Sequence, residues 1–357
     1  MQRRIFIKQS SLIVTGAGLF GYACSSNTTQ SETISEEEAS SAVANEPLYK
    51  ISLAQWSLNK ALFNPAMQSI PWPERAKLYD TDYERVIADS KLTTLQFPQK
   101  ARDLGFEGVE FVNQFFYDKA EDTQYLADLK QACADAGTPA LLIMCDRVGE
   151  LGNPDEAERI KAVENHYKWV DAAQYLGCHS IRVNAESSGS YEEQQKLAAD
   201  GLAKLGTYAD NAGINVLVEN HGGLSSNGEW LAGVMEMAES DRVGTLPDFG
   251  NFCVKQDLPT AENLEPPCEE EYDRYRGVEE LMPYAKAVSA KTHDFNDQGE
   301  EIHTDYNKMM RIVLDHGYRG FVGVEYEGSE LGEEEGILKT RVLLEKVRED
   351  LSSAYQS

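Results

Sequence analysis

The chain has few basic residues relative to its acidic ones. Its 357 residues include 33 lysines and arginines against 60 aspartates and glutamates, which gives a formal net charge of −27. A surface this acidic repels the phosphate backbone of nucleic acids, so we expect no nucleic acid partner. The same charge argues against docking on anionic lipid through a basic patch. The composition therefore excludes two common classes of partner.

Cysteine motifs are also missing. The six cysteines form no CxxC pair and show no zinc-like spacing. Cys145 and Cys178 lie in or beside apolar segments and are expected to be buried small residues. Cys253 and Cys268 could form a disulfide in an exported protein, but we expect them to stay unpaired. The cysteines therefore predict neither a zinc site nor a disulfide framework.

The chain has an apolar stretch near its N-terminus, residues 12–23, that is too short to cross a membrane comfortably. The twin-arginine pair Arg3 and Arg4 precedes it. This order predicts a signal peptide over residues 1–23 and an exported protein, either periplasmic or a membrane-anchored lipoprotein. Cys24 stands where a lipoprotein is cleaved, so we expect it to be lipidated. The alternative is an ordinary cleaved signal in which Cys24 is incidental.

The segment after Cys24 differs in composition from the rest. Residues 24–47 are rich in serine, threonine, glutamate and alanine and lack apolar periodicity, so they predict a disordered tether. Residues 48–357 show no internal sequence repeat and no further boundary. Their length suits one large α/β barrel, which takes roughly 250 residues plus insertions.

Short apolar runs alternate with helical patterns over this domain. The predicted strands are residues 49–56, 108–112, 140–145, 180–184, 214–219, 243–248, 288–293 and 321–325. The predicted helices are residues 82–104, 122–136, 155–176, 191–212, 230–237, 278–287, 306–315 and 336–351. Glycine follows several of the helices as a stop signal. Eight strand–helix units in order predict an α/β fold, a single (β/α)8 TIM barrel.

Two connections are long, residues 58–79 and 251–277. They follow the first and sixth strands and therefore lie at the carboxyl face of the predicted barrel, where active sites form. Loops of this length are usually functional or disordered. We expect both to form walls or a lid over the mouth.

The last four strands each end in a residue that can bind a metal: Glu219, Asp248, His293 and Glu325. Taken singly, each is more readily a helix cap, an ion-pair partner or a structural histidine. Taken together, three carboxylates at one mouth need a cation to offset their repulsion. Three carboxylates and one imidazole suit Mn²⁺, Mg²⁺, Co²⁺ or Zn²⁺. We predict one divalent metal ion at this site.

These residues stand in motifs that resemble a known family, the xylose isomerase-like barrel proteins, often described as sugar phosphate isomerases/epimerases. The motifs are ENHGG at 219–223, PDFGNF at 247–252, KTHDF at 291–295 and GVEYEG at 323–328. The resemblance implies that Glu219, Asp248, His293 and Glu325 bind one divalent metal. It also implies that Glu219 and Glu325 form the acid/base pair. The implied reaction removes a proton beside a sugar carbonyl that the metal polarises, through an enediolate.

Six further residues are candidates for binding the substrate. Arg182 and Asn184 share one face of a strand by two-residue alternation. His221 and Lys291 lie two residues from predicted metal ligands. The alternative for the charged residues is a structural ion-pair network inside the barrel, and for the tryptophan it is packing. The full set is Trp56, Glu110, Arg182, Asn184, His221 and Lys291.

The expected function is that of a metal-dependent sugar isomerase or epimerase. Export favours a non-phosphorylated sugar or glycoside as the partner, and an oligomer is compatible with the sequence. A keto-sugar lyase or deglycosylase on the same barrel begins with the same enolisation and stays open, as does a non-catalytic sugar-binding lipoprotein. An endonuclease of this superfamily would need several metals, more histidine ligands and a basic groove. Six histidines and a charge of −27 argue against it.

Overall fold

A computed structural model describes residues 47–70, 72–257 and 266–355. The predicted signal peptide at residues 1–23 lies outside the described residues, and so does the predicted tether at residues 24–47 apart from Pro47. In the part of the chain that is described, no helix combines the length and apolar character needed to span a membrane.

Eight parallel strands form the centre of the fold. They are β1 (Lys50–Ala54), β2 (Gly108–Val112), β3 (Ala140–Met144), β4 (Ser180–Val183), β5 (Asn215–Glu219), β6 (Val243–Leu246), β7 (Val288–Thr292) and β8 (Phe321–Tyr326). Their order in the sheet is β6-β5-β4-β3-β2-β1-β8-β7. The chain just beyond β6 closes the ring, because the Ser289 amide donates to the Pro247 carbonyl at 2.9 Å and the Phe249 amide donates to the Ser289 carbonyl at 3.0 Å. The predicted (β/α)8 barrel is confirmed.

One main helix follows each strand. These helices are α1 (Phe97–Asp103), α2 (Thr123–Ala136), α3 (Glu156–Leu176), α4 (Tyr191–Ala212), α5 (Gly228–Ala238), α6 (Arg274–Leu281), α7 (Tyr306–Asp315) and α8 (Glu333–Tyr355). Local signals set their ends: Ser190 and Glu193 form a capping box before α4, and Gly213 ends it with φ of 70°. Trp169 in α3 and Trp230 in α5 are fully buried, so the outer core lies between helices and sheet.

Two predicted elements differ from the structure in the first strand–helix unit. The strand expected at 49–56 ends at Ala54, because the Gln55 side chain turns inward to accept from the Val112 amide at 2.9 Å and donate to Thr94 at 3.0 Å. The helix expected at 82–104 is broken into a short helix, Tyr83–Ile87, and α1. Asp89 has a φ of 56°, which a right-handed helix does not accommodate.

The helix expected at 278–287 is displaced toward the N-terminus. The Asp273 side chain accepts from the Arg276 amide and caps α6, which begins four residues before the expected start. Pro283 lacks the amide hydrogen of a continuing helix, and the segment Met282–Tyr284 forms a 3-10 helix instead. The remaining elements differ from prediction only at their ends.

The long connection after β1 carries structure of its own. It contains the helices Asn59–Leu62 and Trp72–Thr81, with the 3-10 helix Pro65–Ser69 between them. It therefore forms an ordered wall.

The long connection after β6 contains an antiparallel hairpin of Cys253–Gln256 with Cys268–Glu271. A disulfide joins Cys253 and Cys268, with their Cα atoms 5.7 Å apart. The expectation that these cysteines stay unpaired was wrong, because the hairpin pairing brings them together and sequence spacing does not reveal it. Cys145 and Cys178 are free and buried, as predicted.

Polar side chains occupy the inside of the barrel and lead up to its mouth. Gly323 in β8 leaves space for one of them: a Cβ atom there would lie 2.5 Å from the Glu110 carboxylate. The buried polar residues of this interior include Ser52, Glu110, Arg182, Glu219, Ser289, Lys291 and Glu325.

Candidate active site

Three carboxylates from different strands meet at the carboxyl end of the barrel. Glu219 is the last residue of β5, Asp248 follows β6, and Glu325 lies near the end of β8. One oxygen from each lies within 4.8 Å of the others, and all three residues are buried. We call Glu219, Asp248 and Glu325 the carboxylate cluster. The strand-end pattern in the sequence therefore brings three of the four predicted metal ligands together.

Backbone and side-chain donors hold Asp248 in place. Its Oδ1 accepts from the amides of Gly250 and Asn251, each at 2.8 Å, and its Oδ2 accepts from the Ser289 hydroxyl at 2.6 Å. The same hydroxyl lies 3.0 Å from Glu325 Oε2. Ser289 therefore contacts two members of the carboxylate cluster through its hydroxyl group. It lies where the barrel closes, between β7 and the chain after β6.

Arg182 in β4 forms ion pairs with Glu219 and Asp146. Its Nε lies 2.7 Å from Glu219 Oε2, and its Nη1 forms an ion pair with Asp146, the second residue after β3. Asn251 donates to Glu219 Oε1 at 2.9 Å, and Asn184 donates to Asp146 Oδ1 at 3.1 Å. Arg182 is thus a structural cation of the site as well as a residue beside the substrate space.

Lys291 in β7 brings a second cation to the carboxylates. Its Nζ lies 3.1 Å from Glu327 Oε2, 3.7 Å from Glu325 Oε2 and 4.0 Å from Asp248 Oδ2. Asn251 Oδ1 accepts from it at 3.2 Å. The sequence predicted Lys291 as a substrate-binding residue, and the structure places its ammonium among the acids.

Burial governs the electrostatics of this region. It raises the pKa of Asp248 and raises that of Glu325 well above its ordinary value, although nearby Lys291 opposes both shifts. Burial alone would also raise the pKa of Glu327, but its ion pair with Lys291 holds it below the usual range. The desolvation of Lys291 would lower its pKa, yet the surrounding carboxylates raise it well above normal. The ammonium therefore stays charged.

A cavity of about 460 Å³ opens above the cluster. This volume lies within the range of about 300–1,000 Å³ that is usual for small-molecule sites. Arg75, from the helical wall after β1, contributes to it, which confirms the predicted role of that loop as a wall. The lining residues are Trp56, Arg75, Gln114, Asp146, Arg147, Arg182, Asn184, Glu186, His221, Glu325 and Glu327.

Four of the six predicted substrate-binding residues line this cavity: Trp56, Arg182, Asn184 and His221. Glu110 lies inside the barrel instead, where its Oε1 accepts from the Ser52 hydroxyl at 2.6 Å. Burial raises its pKa to about 7. The sixth, Lys291, lies beside the carboxylate cluster.

His293 does not join the carboxylate cluster in this structure. It lies two residues beyond Lys291 and lines a neighbouring cavity of about 260 Å³ with Arg274, Glu301 and His303. The centre of its ring is 6.3 Å from that of His303. Its role as the fourth metal ligand stays a prediction.

Several residues that shape the site were not predicted, among them Asp146, Asn251, Ser289 and Glu327. Asp146 follows the apolar run 140–145 directly, so the strand-end rule applied to β3 would have found it. Glu327 follows Glu325 by two, the spacing at which side chains of an extended chain point the same way. Ser289 carried no signal, because only the closure of β7 against the chain after β6 brings it to Asp248.

The residues present fit a hard divalent cation in their donor chemistry. Mg²⁺ and Mn²⁺ prefer carboxylate oxygens, and the carboxylate cluster offers three of them within one small volume. The carboxylate cluster could therefore hold a divalent metal, with Arg182 and Lys291 as its positively charged neighbours.

The fold and this site define a TIM-barrel protein with an acidic centre at the carboxyl ends of its strands. The chain belongs to the xylose isomerase-like TIM barrel family, whose model matches residues 98–346. A probable endonuclease 4 from Haloarcula marismortui is 28% identical over 219 residues, which cover 58% of this chain and 74% of that protein.

Solved structures share the fold at low sequence identity. An L-ribulose 3-epimerase matches with a TM-score of 0.59 at 15% identity, covering 86% of this chain and 97% of that chain. A xylose isomerase-like TIM barrel protein from Mycobacterium smegmatis, in complex with magnesium, matches at 0.56 and 16%, covering 86% and 98%. A 3-keto-D-glucoside 4-epimerase from E. coli matches at 0.53 and 15%, covering 71% and 94%.

Proposed function

We propose that this protein is a metal-dependent isomerase or epimerase of a non-phosphorylated sugar or glycoside. The observation that carries the proposal is the carboxylate cluster, whose oxygens lie within 4.8 Å of one another beneath the mouth cavity. Glu325 belongs both to the cluster and to the cavity wall. A ligand in the cavity therefore meets a buried carboxylate that can exchange a proton with it.

Glu219 and Glu325 carry the proton transfer in this proposal. They come from β5 and β8, on different sides of the barrel mouth, so they can approach one carbon skeleton from two directions. Epimerisation needs a base and an acid on opposite faces, and isomerisation can use one residue. A divalent cation held by Glu219, Asp248 and Glu325, with His293 as the predicted fourth ligand, would supply positive charge beside the substrate carbonyl.

The cavity wall suits a carbohydrate. Trp56 presents an aromatic ring to the cavity and is fixed by packing on Phe63 and Phe115, with both pairs of ring centres 6.0 Å apart. Such a ring supports the apolar face of a sugar. Asn184 Oδ1 is buried and has no hydrogen-bond partner among the described residues, so it can accept from a sugar hydroxyl. The His221 ring also borders this space and adds a polar group.

The choice of a non-phosphorylated substrate rests on the sequence. The twin-arginine pair and the apolar stretch before Cys24 predict export, and sugar phosphates are mainly cytoplasmic. The E. coli structure with a similar fold is that of a 3-keto-D-glucoside 4-epimerase. We include 3-keto glucosides among the candidate substrates for this reason.

A keto-sugar lyase or deglycosylase is the second candidate function, since both reactions start by removing the same proton. The two reactions differ in their next step, because a lyase releases the substituent beside the carbanion. Product analysis therefore separates them once a substrate is found. A sugar-binding lipoprotein without catalysis would show neither proton exchange nor product.

The relative from Haloarcula marismortui raises endonuclease activity as a further candidate. Four acids line the mouth cavity: Asp146, Glu186, Glu325 and Glu327. Arg75, Arg147 and Arg182 line the same cavity and offset most of this charge, but the net charge of −27 over the whole chain opposes the approach of a phosphate backbone. Among the described residues, the carboxylate cluster is the one group of candidate ligands found, and it contains no histidine. We therefore favour the sugar.

The test is solvent proton exchange. The mature protein is incubated in D₂O with free aldoses, ketoses and 3-keto glucosides, each with Mn²⁺, Mg²⁺, Co²⁺ or Zn²⁺, and deuterium incorporation beside the carbonyl is followed by NMR. The Glu219→Gln/Glu325→Gln double variant, prepared identically, controls for contaminating enzymes. We expect exchange by the native protein alone. Absence of exchange with every sugar and metal would favour the binding-lipoprotein alternative.

A further inference from the structure

The Lys291 ammonium lies where the carboxylates of the mouth converge. Its Nζ is 3.1 Å from Glu327, 3.7 Å from Glu325 and 4.0 Å from Asp248. Its side chain is 3% exposed. Two of these three acids belong to the carboxylate cluster, so the ammonium and a bound metal would draw on the same negative charge.

The path of the lysine stem is built into the fold. A Cβ atom at Gly250 would lie 3.1 Å from both Cγ and Cδ of Lys291 and 3.3 Å from its Cβ. These distances are tighter than ordinary van der Waals contact, so the glycine leaves the space that the lysine stem fills. On the same face of β7, the Ser289 hydroxyl donates to Asp248 and contacts Glu325. β7 thus places one hydrogen-bond donor, Ser289, and one cation, Lys291, beside the carboxylate cluster.

A divalent ion on the carboxylate cluster would bring a second positive charge close to this ammonium. Like charges a few ångströms apart in a buried site repel strongly. When a metal binds, the ammonium can keep its ion pair with Glu327, which is the nearest acid to Nζ and lies outside the carboxylate cluster. The geometry therefore allows either the Lys291 ammonium or a divalent metal to neutralise Asp248 and Glu325. When both are present they repel each other, so each interacts less favourably with these carboxylates.

We propose that Lys291 is a built-in competitor of the divalent metal: its ammonium neutralises Asp248 and Glu325 in the metal-free protein and weakens metal binding at the carboxylate cluster. The proposal rests on the metal site of the proposed function. In it, the charge of Lys291 sets how tightly this chain binds the metal. Removal of the ammonium should tighten metal binding and destabilise the metal-free protein.

The test is calorimetric titration of Mn²⁺ into the metal-free mature protein. Lys291→Met removes the charge and keeps an unbranched apolar stem, and Lys291→Gln keeps a hydrogen-bond donor, so it gives the same test if the first variant folds poorly. Lys196→Met, at an exposed position of α4, is the matched control. We expect both Lys291 variants to bind Mn²⁺ at least tenfold more tightly than the native protein and Lys196→Met to bind as the native protein does.

Thermal unfolding gives a second readout that is independent of catalysis. We expect a lower melting temperature for the metal-free Lys291 variants and recovery with saturating Mn²⁺. Native Mn²⁺ binding with no gain in affinity in either Lys291 variant would overturn the competition and leave the metal site intact. No Mn²⁺ binding by any of these proteins would overturn both the competition and the metal dependence of the proposed function.

Discussion

Gly323 in β8 faces the carboxylate of Glu110 in β2. A Cβ atom at Gly323 would lie 2.5 Å from Glu110 Oε1 and 2.6 Å from Oε2, closer than real atoms approach. Ser52, on the strand between them, donates to Oε1 at 2.6 Å and keeps the carboxylate in place. The absent side chain at position 323 therefore makes room for an acid in the barrel interior.

Gly323→Ala should destabilise the protein through this contact. Overpacking a buried site costs about 1–3 kcal/mol of unfolding free energy. Urea unfolding of the single variant, of Glu110→Ala and of the double variant measures the coupling between the two positions. We expect the alanine at 323 to cost much less when Glu110 is absent. An equal cost in both backgrounds would show that the carboxylate does not set the penalty.

Glu110 should make stability depend on pH. Burial raises its pKa from 4.5 to about 7 in the folded protein, although the Ser52 hydrogen bond opposes the shift. A carboxyl group whose pKa is higher in the folded than in the unfolded protein does not lower stability at a pH below its unfolded pKa. As pH rises above that value, the unfolded chain loses the proton first, and the free energy of unfolding falls. Between about pH 4.5 and pH 7, the native protein should lose roughly 3 kcal/mol of stability relative to Glu110→Gln.

Urea unfolding of both proteins across this pH range checks the expectation, since most other titrating groups cancel in the difference. Glu192→Gln, which removes an exposed carboxylate of α4, is the matched control. A difference for Glu110→Gln that does not change with pH would mean that folding does not raise the pKa of Glu110.

Asp248 and His293 test two different parts of the metal prediction, since Asp248 lies in the carboxylate cluster and His293 lies outside it. We expect Asp248→Ala to lose bound metal, because it removes one of three clustered carboxylates. The predicted four-ligand set also requires His293→Ala to weaken binding. Elemental analysis after metal loading measures both, with the exposed Asp241→Ala as the control. Full occupancy in both variants would refute the site, and full occupancy in His293→Ala alone would remove the imidazole from it.

Glu219→Gln and Glu325→Gln should each lower turnover by roughly 10² or more, the usual scale of general acid–base catalysis. The amide keeps the shape and an oxygen ligand but removes the base. Initial rates of proton exchange at saturating metal measure the effect, and Glu192→Gln should react at the native rate. Native exchange rates in both metal-loaded variants would make the acid/base assignment wrong.

The N-terminus offers a test outside the described residues. We expect residues 1–23 to be removed and Cys24 to carry lipid in the mature protein. Mass spectrometry of protein from the producing cell's envelope determines this, and Cys24→Ser should abolish the modification. An intact Met1, or an unmodified terminus elsewhere, would contradict the expectation.

The barrel was predictable because its strands are short apolar runs and its helices carry caps and glycine stops. The same regularity located Glu219, Asp248 and Glu325, since each ends such a run. The position of the Lys291 ammonium was not predictable, because it depends on how far a flexible side chain reaches between strands. The contact of Ser289 with Asp248 requires the ring to close, and no local pattern encodes closure.

The loops were predicted less well than the strands. Arg75 of the first long connection and Asn251 of the second lie at the site, as expected for connections at the mouth. The short helices of the first and the antiparallel hairpin of the second were not predicted. The break in the helix expected at 82–104 follows from one left-handed residue, Asp89, which helical periodicity cannot reveal. The Cys253–Cys268 disulfide required knowledge of the hairpin pairing.

The Cys253–Cys268 disulfide makes the connection after β6 sensitive to the redox state of the surroundings. Both cysteines belong to one connection, so no barrel strand lies inside the loop that the bond closes. Closing a loop of about 15 residues contributes roughly 3 kcal/mol in the chain-entropy account. Asn251, two residues before Cys253, contacts both Glu219 and Lys291. A reducing environment would therefore remove a restraint on the segment that follows Asn251 while leaving all eight strands paired. The redox state of the surroundings would then act on the acidic centre and leave the barrel itself unchanged.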